Sequence, residues 1–160
     1  MSTESAPARP ANVRAARPGR GVRVVAILLL LAGVILVVAG AVTWITVQNQ
    51  LADEKITVSD DAARFAGEPV DGPLTAYAQA EVIEKHALES SGGKTYAEMD
   101  RNDPARATVM DASFLRASLF TSVVAFGVAA MAAGIGVIVL LIGYALLLVA
   151  RQLAAVASTA

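Results

Sequence analysis

The chain has 160 residues, 56% of them hydrophobic and 17% charged, with a mean hydropathy of +0.58 and a formal net charge of −1. A soluble core this small has no room for so much apolar side chain, so the composition excludes an ordinary water-soluble domain and points to a membrane protein. With no cysteine and a single histidine, His86, the sequence also excludes a disulfide framework, a thiolate metal site and a cysteine nucleophile.

In chain order, residues 1–21 read as a basic cytoplasmic tail. Pro7, Pro10 and Pro18 stand among Ala, Ser and Arg with no apolar period, which predicts disorder. Arg9, Arg14, Arg17, Arg20 and Arg23 face Glu4 alone, a net of +4 over residues 1–23. Such a tail sets topology and is drawn to an anionic leaflet by about 1 kcal/mol per basic residue. Five spaced arginines without aromatics do not make a nucleic-acid interface, so no nucleic-acid partner is expected.

Residues 22–47 read as transmembrane helix 1. From Val24 to Val47 no residue is charged, and a helix of that length covers about 36 Å, enough for a hydrocarbon core of roughly 30 Å. The run is longer than the roughly 7–15 apolar residues of a secretory signal and lacks a clean small-x-small site beyond it, so an uncleaved anchor is expected.

Residues 48–116 carry thirteen acids and seven bases and form an acidic segment. Lys55-Ile56-Thr57-Val58 alternates like a short strand or extended link, and Ser59-Asp60-Asp61 reads as a helix start broken by Gly67, Pro69, Gly72 and Pro73. Leu74 to Ser90 reads as a helix ended by Gly92-Gly93, with Glu81 and Lys85 spaced for an i,i+4 pair. Tyr77, Ala80, Ile83 (or Val82) and Ala87 form a narrow apolar stripe suited to docking on the span ends or the membrane surface. Asp103 and Pro104 suit the N-cap and first position of a long helix running through Phe114 into the second span.

Residues 117–150, uncharged throughout, read as transmembrane helix 2, and 151–160 as a short cytoplasmic tail. Positively charged flanks stay inside, so the five tail arginines and Arg151 put both termini in the cytoplasm and residues 48–116 outside. Trp44, with Phe114 and Phe120, suits the outer interface, and Tyr144 the inner one. Gly33 and Gly40 are seven apart, as are Gly127 and Gly134, and Gly136 and Gly143. Small residues on one face let helix backbones approach closely, so these six glycines are the expected packing positions of an antiparallel hairpin, and Ala129, Ala133 and the pair Ala132, Gly136 add small-xxx-small steps. The fold class expected is therefore an all-α membrane protein, a two-helix hairpin with a small, mostly helical extracytoplasmic segment.

Neither span contains an ionisable residue, which argues against a proton relay or ion pathway built from this chain alone. Thr43, Thr46, Ser118, Thr121 and Ser122 lie toward the outer ends, where they can bond their own helices. The densest titratable cluster is Glu81, Glu84, Lys85, His86 and Glu89, which a helix spreads around an exposed face. One histidine with a carboxylate is thin for a metal, so neither a metal nor a catalytic role is expected of it. Gly92-Gly93-Lys94-Thr95 lacks the first glycine of a phosphate loop and reads as a helix stop.

At Leu51-Ala-Asp-Glu-Lys-Ile-Thr-Val58, Gly72-Pro-Leu-Thr-Ala-Tyr-Ala-Gln-Ala80 and Arg106-Ala-Thr-Val-Met-Asp-Ala-Ser-Phe-Leu-Arg-Ala-Ser-Leu-Phe120 the chain resembles a family of small actinobacterial membrane proteins, over roughly residues 22–145. Its members often carry the label aromatic ring-opening dioxygenase, protocatechuate 4,5-dioxygenase small-subunit type. That label implies a soluble subunit of a non-haem iron enzyme, whereas an iron site of two histidines and one carboxylate cannot be built from one His, and none of that enzyme's catalytic residues carries over to a position here. The expectation is a non-enzymatic accessory or interaction subunit of a cell-envelope complex, or a homo-oligomer, whose partners are the lipid bilayer and another membrane protein or itself. No cofactor, metal or small-molecule substrate is expected. The alternative is an enzyme or enzyme subunit acting on an envelope or aromatic substrate through the outer segment, for which His86 and Glu84 are the positions to test. A third reading, a transport subunit, requires polar residues from a partner to line the path.

Overall fold

A computed structural model describes residues 19–159; Arg9, Arg14 and Arg17, and with them most of the tail read over residues 1–21, lie outside the described residues, whereas Arg20 and Gly21 belong to the first helix and not to a disordered tail. Among the described residues three helices carry the fold: α1 (Arg20–Asp53), α2 (Pro73–Ser90) and α3 (Arg106–Thr159), with a single 3₁₀ turn at Tyr96–Glu98. At 34 and 54 residues, α1 and α3 are about 51 and 81 Å long, and each is long and apolar enough to cross a membrane. Both continue beyond the spans read from the sequence, because Gln48 to Asp53 and Arg106 to Arg116 contain neither Gly nor Pro to stop a helix.

A seam of small residues joins α1 to α3. Ala26, Gly33 and Gly40 are buried on α1, and Ala129, Gly136, Gly143 and Ala150 on α3. A Cβ on Gly33 would lie 2.9 Å from the Gly136 carbonyl oxygen, one on Gly40 2.6 Å from that of Ala129, and one on Gly143 3.1 Å from that of Ala26. The last pair is Gly19, whose Cβ would lie 3.0 Å from the Ala150 carbonyl oxygen. Each step of seven up α1 is thus met by a step of seven down α3. The seven-residue repeat keeps the seam facing its partner along the contact, as in supercoiled helices.

The connecting segment folds onto one end of this pair. Leu51, Val58, Val70, Ala76, Ala80, Leu119 and Phe126 share one buried cluster, with Trp44, Ile56, Phe65 and Phe120 packed against it. Val58 and Val70 are each 1% exposed, held by Val58 N–H donating to Glu68 O and Val70 N–H to Ile56 O, both 2.9 Å. Thr57 and Pro69 form the one bridge of this miniature ribbon. The expected helix from Ser59-Asp60-Asp61 does not form. The Ser59 N–H donates to Gln79 Oε1 at 2.9 Å, Phe65 and Gly67 adopt φ 61 and 76, and the segment is used to bury both valines rather than to wind a short exposed helix.

α2 starts one residue earlier than read, at Pro73. Its first turn is closed by Gly72 N–H donating to Thr75 Oγ1 at 3.2 Å, and its end by Gly93 N–H donating to Leu88 O at 2.7 Å with Gly92 and Gly93 at positive φ. Its buried face is wider than the expected stripe: Thr75, Ala76, Ala78, Gln79, Ala80 and Val82 are covered while Tyr77 is half-exposed, because α2 is packed on one side by α3 and on the other by the ribbon. α3 starts at Arg106, not at Pro104; Asp103 Oδ1 accepts the Ala105 N–H at 2.9 Å and caps a turn that leads into the helix. From there α3 runs unbroken through Phe114, as read.

Candidate functional site

Residues 56–71 and α2 enclose an open groove of about 530 Å³. Phe65, Leu74 and Tyr77 give it apolar walls, while Asp61, Arg64 and Lys85 supply charge. Asp61 organises one side: its Oδ2 accepts from Lys85 Nζ at 2.8 Å and lies 2.9 Å from His86 Nε2. Those hydrogen bonds, Lys85 first and His86 second, pull the Asp61 carboxyl down from 3.8 to about 2 and raise the Lys85 ammonium above its ordinary value. All three side chains remain in solvent, so the cluster ties the ribbon to α2 and keeps its charges available at the surface.

Two further arginines fix the segment to α3. Arg116 Nη2 meets Glu84 Oε2 at 2.6 Å, and its guanidinium lies 5.2 Å from the centre of the Phe120 ring, which Tyr77 meets edge-on at 5.7 Å. Arg106 Nη1 donates to Met99 O at 2.6 Å and to Tyr96 O at 3.2 Å while its guanidinium sits 4.0 Å over the Tyr96 ring. At that 3₁₀ turn, Glu98 accepts from the Thr95 N–H and hydroxyl, both at 2.8 Å, which lowers its carboxyl pKa. The result is a cap held at several separate points.

The residues singled out in the sequence fall into distinct places. Gly33, Gly40, Gly136 and Gly143 lie in the α1–α3 seam, whereas nothing lies within 4 Å of a Cβ placed on Gly127 or Gly134. Gly127 and Gly134 precede the seam positions Ala129 and Gly136 by two residues, which on a helix is about 200° round the axis. Trp44 stacks edge-on with Phe126 at 4.7 Å, and Phe120 packs between Tyr77 and Arg116, so both aromatics join the shared core of cap and helices. Tyr144 and Phe114 are exposed. Arg20, Arg23 and Arg151 stand together at the far end of the helix pair.

Lys85 pairs with Asp61 and not with Glu81, and His86 with Asp61 rather than within its own helix face. Spacing gave no signal for these partners, which are separated by more than twenty positions. Thr46, Thr121 and Ser122 donate to the carbonyls of Val42, Ala117 and Ser118, satisfying their hydroxyls within their own helices. Among the described residues no group of three or more His, Asp or Glu side chains is placed to hold a metal ion. Compared with protein-family models, with curated proteins and with solved structures, the chain gives no match in any of the three.

Proposed function

We propose that this chain is a two-span protein of the plasma membrane: an antiparallel hairpin with both termini in the cytoplasm, residues 48–116 outside, and a non-enzymatic role as an accessory or interaction subunit. Its partner is another membrane protein of the cell envelope or a second copy of itself. One observation carries the reading. The helices are closed to each other along one seam while their other faces stay apolar and open: only 17% of the most apolar stretch of α1 and 11% of that of α3 is buried, and Ile35, Val124 and Leu141 are 66%, 63% and 63% exposed. Exposed surface of that kind belongs in lipid or against other spans, not in water.

Charge supports the proposed orientation, since positively charged flanks stay on the cytoplasmic side. Arg20, Arg23 and Arg151 flank one end of the pair, and every acid of the described residues lies in the segment from Asp53 to Asp111 at the other. The cap has a groove with apolar walls and opposite charges, suited to an extended or helical piece of a partner protein. This reading includes membership of the actinobacterial family that the three quoted segments resemble, without the ring-opening activity of its label, since one His cannot supply a two-histidine iron site.

The absence of cysteine makes the topology directly testable. Ser90→Cys in the cap and Ser158→Cys near the end of α3 each create a unique thiol. In intact cells a membrane-impermeant maleimide is expected to label the first and not the second; the opposite pattern would invert the orientation. Cross-linking in intact membranes followed by mass spectrometry tests the role, and recovery only as an isolated monomer would count against an interaction subunit.

A further inference from the structure

The small-residue seam ends among arginines. Beside the Gly19–Ala150 contact a groove of about 750 Å³ opens between the first turns of α1 and residues 147–154 of α3, lined by Arg20, Arg23, Ile27, Leu147, Arg151 and Ala154. Positions 20, 23 and 27 recur at i, i+3 and i+7 on α1, and 147, 151 and 154 at i, i+4 and i+7 on α3, so each helix turns both guanidinium and apolar side chains to the same space. Ile27, 43% exposed, lies one turn further along the helix pair than Arg23.

Nothing in the described chain neutralises this end. The ion pairs among the described residues join positions 61, 84, 85, 86 and 116, all in the cap or its junction with α3. The nearest acid along α1 is Asp53, about 45 Å from Arg23 and several screening lengths away. The N-terminus of α1 adds partial positive charge, whereas the negative end of α3 lies about 12 Å beyond Arg151. The chain's own residues 1–18 carry Arg9, Arg14 and Arg17 against Glu4, so the sequence offers no acidic segment to cover the arginines.

We infer that this groove binds the phosphate headgroup of one anionic glycerophospholipid, with the start of its acyl chains lying along Ile27 and Leu147. The inference rests on the membrane reading above. Guanidinium groups bind phosphate oxygens bidentately, and basic pockets between span ends suit anionic headgroups. A lipid fits better than a free anion because the apolar side chains continue directly from the arginines, and a free anion would leave them wet.

The test uses the full chain purified in detergent and titrated with dioctanoyl phosphatidylglycerol or dioctanoyl phosphatidylcholine, with one-to-one adducts counted by native mass spectrometry. Phosphatidylglycerol is expected to bind at least about tenfold more tightly, with roughly a fivefold loss for each Arg→Gln change at Arg20, Arg23 or Arg151. The triple Gln variant, checked for unchanged helical circular dichroism, should lose the preference. Arg101→Gln in the cap should keep it, and so in part should the triple Lys variant. Equal binding of the two lipids, a preference that survives the triple Gln variant, or complete displacement by millimolar inorganic phosphate would each overturn the lipid site. Alkaline extraction of native membranes separates the two readings. A chain released by alkali would sink the membrane reading itself, whereas a chain retained in the pellet without lipid preference would sink only this inference.

Discussion

Gly40 and Ala129 meet backbone to backbone: a Cβ on Gly40 would lie 2.6 Å from the Ala129 carbonyl oxygen and 2.9 Å from the Ala133 nitrogen. Neither of those atoms can move without shifting α3. Gly134, on the same helix as Ala129, has open space where its Cβ would go. Gly40→Ala is therefore expected to cost about 1–3 kcal/mol of helix pairing through overpacking. Gly134→Ala should be neutral or stabilising by up to about 1 kcal/mol, since alanine favours the helix. Thermal unfolding followed by circular dichroism in one detergent makes the comparison, and equal effects of the two changes would refute the seam.

Phe126 and Trp44 give a second handle on the same junction. Phe126 is 1% exposed, stacks on Trp44 and belongs to the cluster that joins α1, α3 and the cap. Phe126→Ala leaves a cavity at the meeting point of three elements, with an expected cost of about 3–5 kcal/mol. Trp44 is the only tryptophan, so its emission reports this site alone. Loss of the ring should move the emission and lower the unfolding midpoint, whereas Phe114→Ala, at an exposed ring, should do neither.

The long elements were legible in the sequence because their cause is local. Uncharged apolar runs have no alternative to helix in lipid, and Gly72-Pro73 and Gly92-Gly93 bracket α2 by backbone chemistry alone. The seam is largely legible: the spacing of Gly33 with Gly40 and of Gly136 with Gly143 marks it, as does the step from Ala129 to Ala133, but Ala26 and Ala150 are hidden among 33 alanines. Gly127 and Gly134 share that spacing on another face of the helix, and spacing carries no phase between two helices. The first arm of the ribbon is legible in the alternation of Lys55 to Val58, which carries the Thr57–Pro69 bridge, but its return is not, because Ser59-Asp60-Asp61 is a sound local helix start. What overrides it is burial of Val58 and Val70 and the Gln79 side chain, none of it close in sequence. Asp61 as the partner of Lys85 and His86 depends on that same ribbon.

Gln79 supplies the Ser59 N–H with an acceptor that a helix starting at Ser59 would not have provided, since the first N–H groups of a helix have no partner within it. It is 9% exposed, and its Oε1 accepts from the Ser59 N–H at 2.9 Å and from the hydroxyl at 3.4 Å. Gln79→Leu fills the space but removes the acceptor, leaving a part-buried N–H unpaired, at an expected cost of about 1–3 kcal/mol. Gln79→Glu keeps an acceptor oxygen and should lose less. Amide exchange at Ser59 and its neighbours is the measurement: acceleration in Gln79→Leu with unchanged exchange in the middle of α1 places the damage in the cap, and equal protection in wild type and Gln79→Leu would refute the role.

Asp61 makes the cap sensitive to acid. Its folded pKa, about 2, lies below the ordinary 3.8, so its contribution to stability is complete above 3.8 and is lost as pH falls from 3.8 toward 2. Lys85 is raised above 10.5, so its contribution is present below 10.5 and disappears only as pH rises beyond that. Between these limits the pair is fully formed. Urea unfolding of the cap followed by Trp44 emission should therefore show a falling midpoint between about pH 4 and pH 2, with a shallower slope in Asp61→Asn. Glu98, also lowered by its Thr95 bonds, accounts for part of the remaining slope, and Glu98→Gln should reduce it further. Lys85→Met should reduce the Asp61 slope more than His86→Gln, because the lysine bond is the larger cause of the depressed carboxyl. Since all three groups are exposed, added salt should weaken the effect. An Asp61→Asn variant with the full wild-type acid slope would show that the Asp61–Lys85–His86 cluster does not hold the cap.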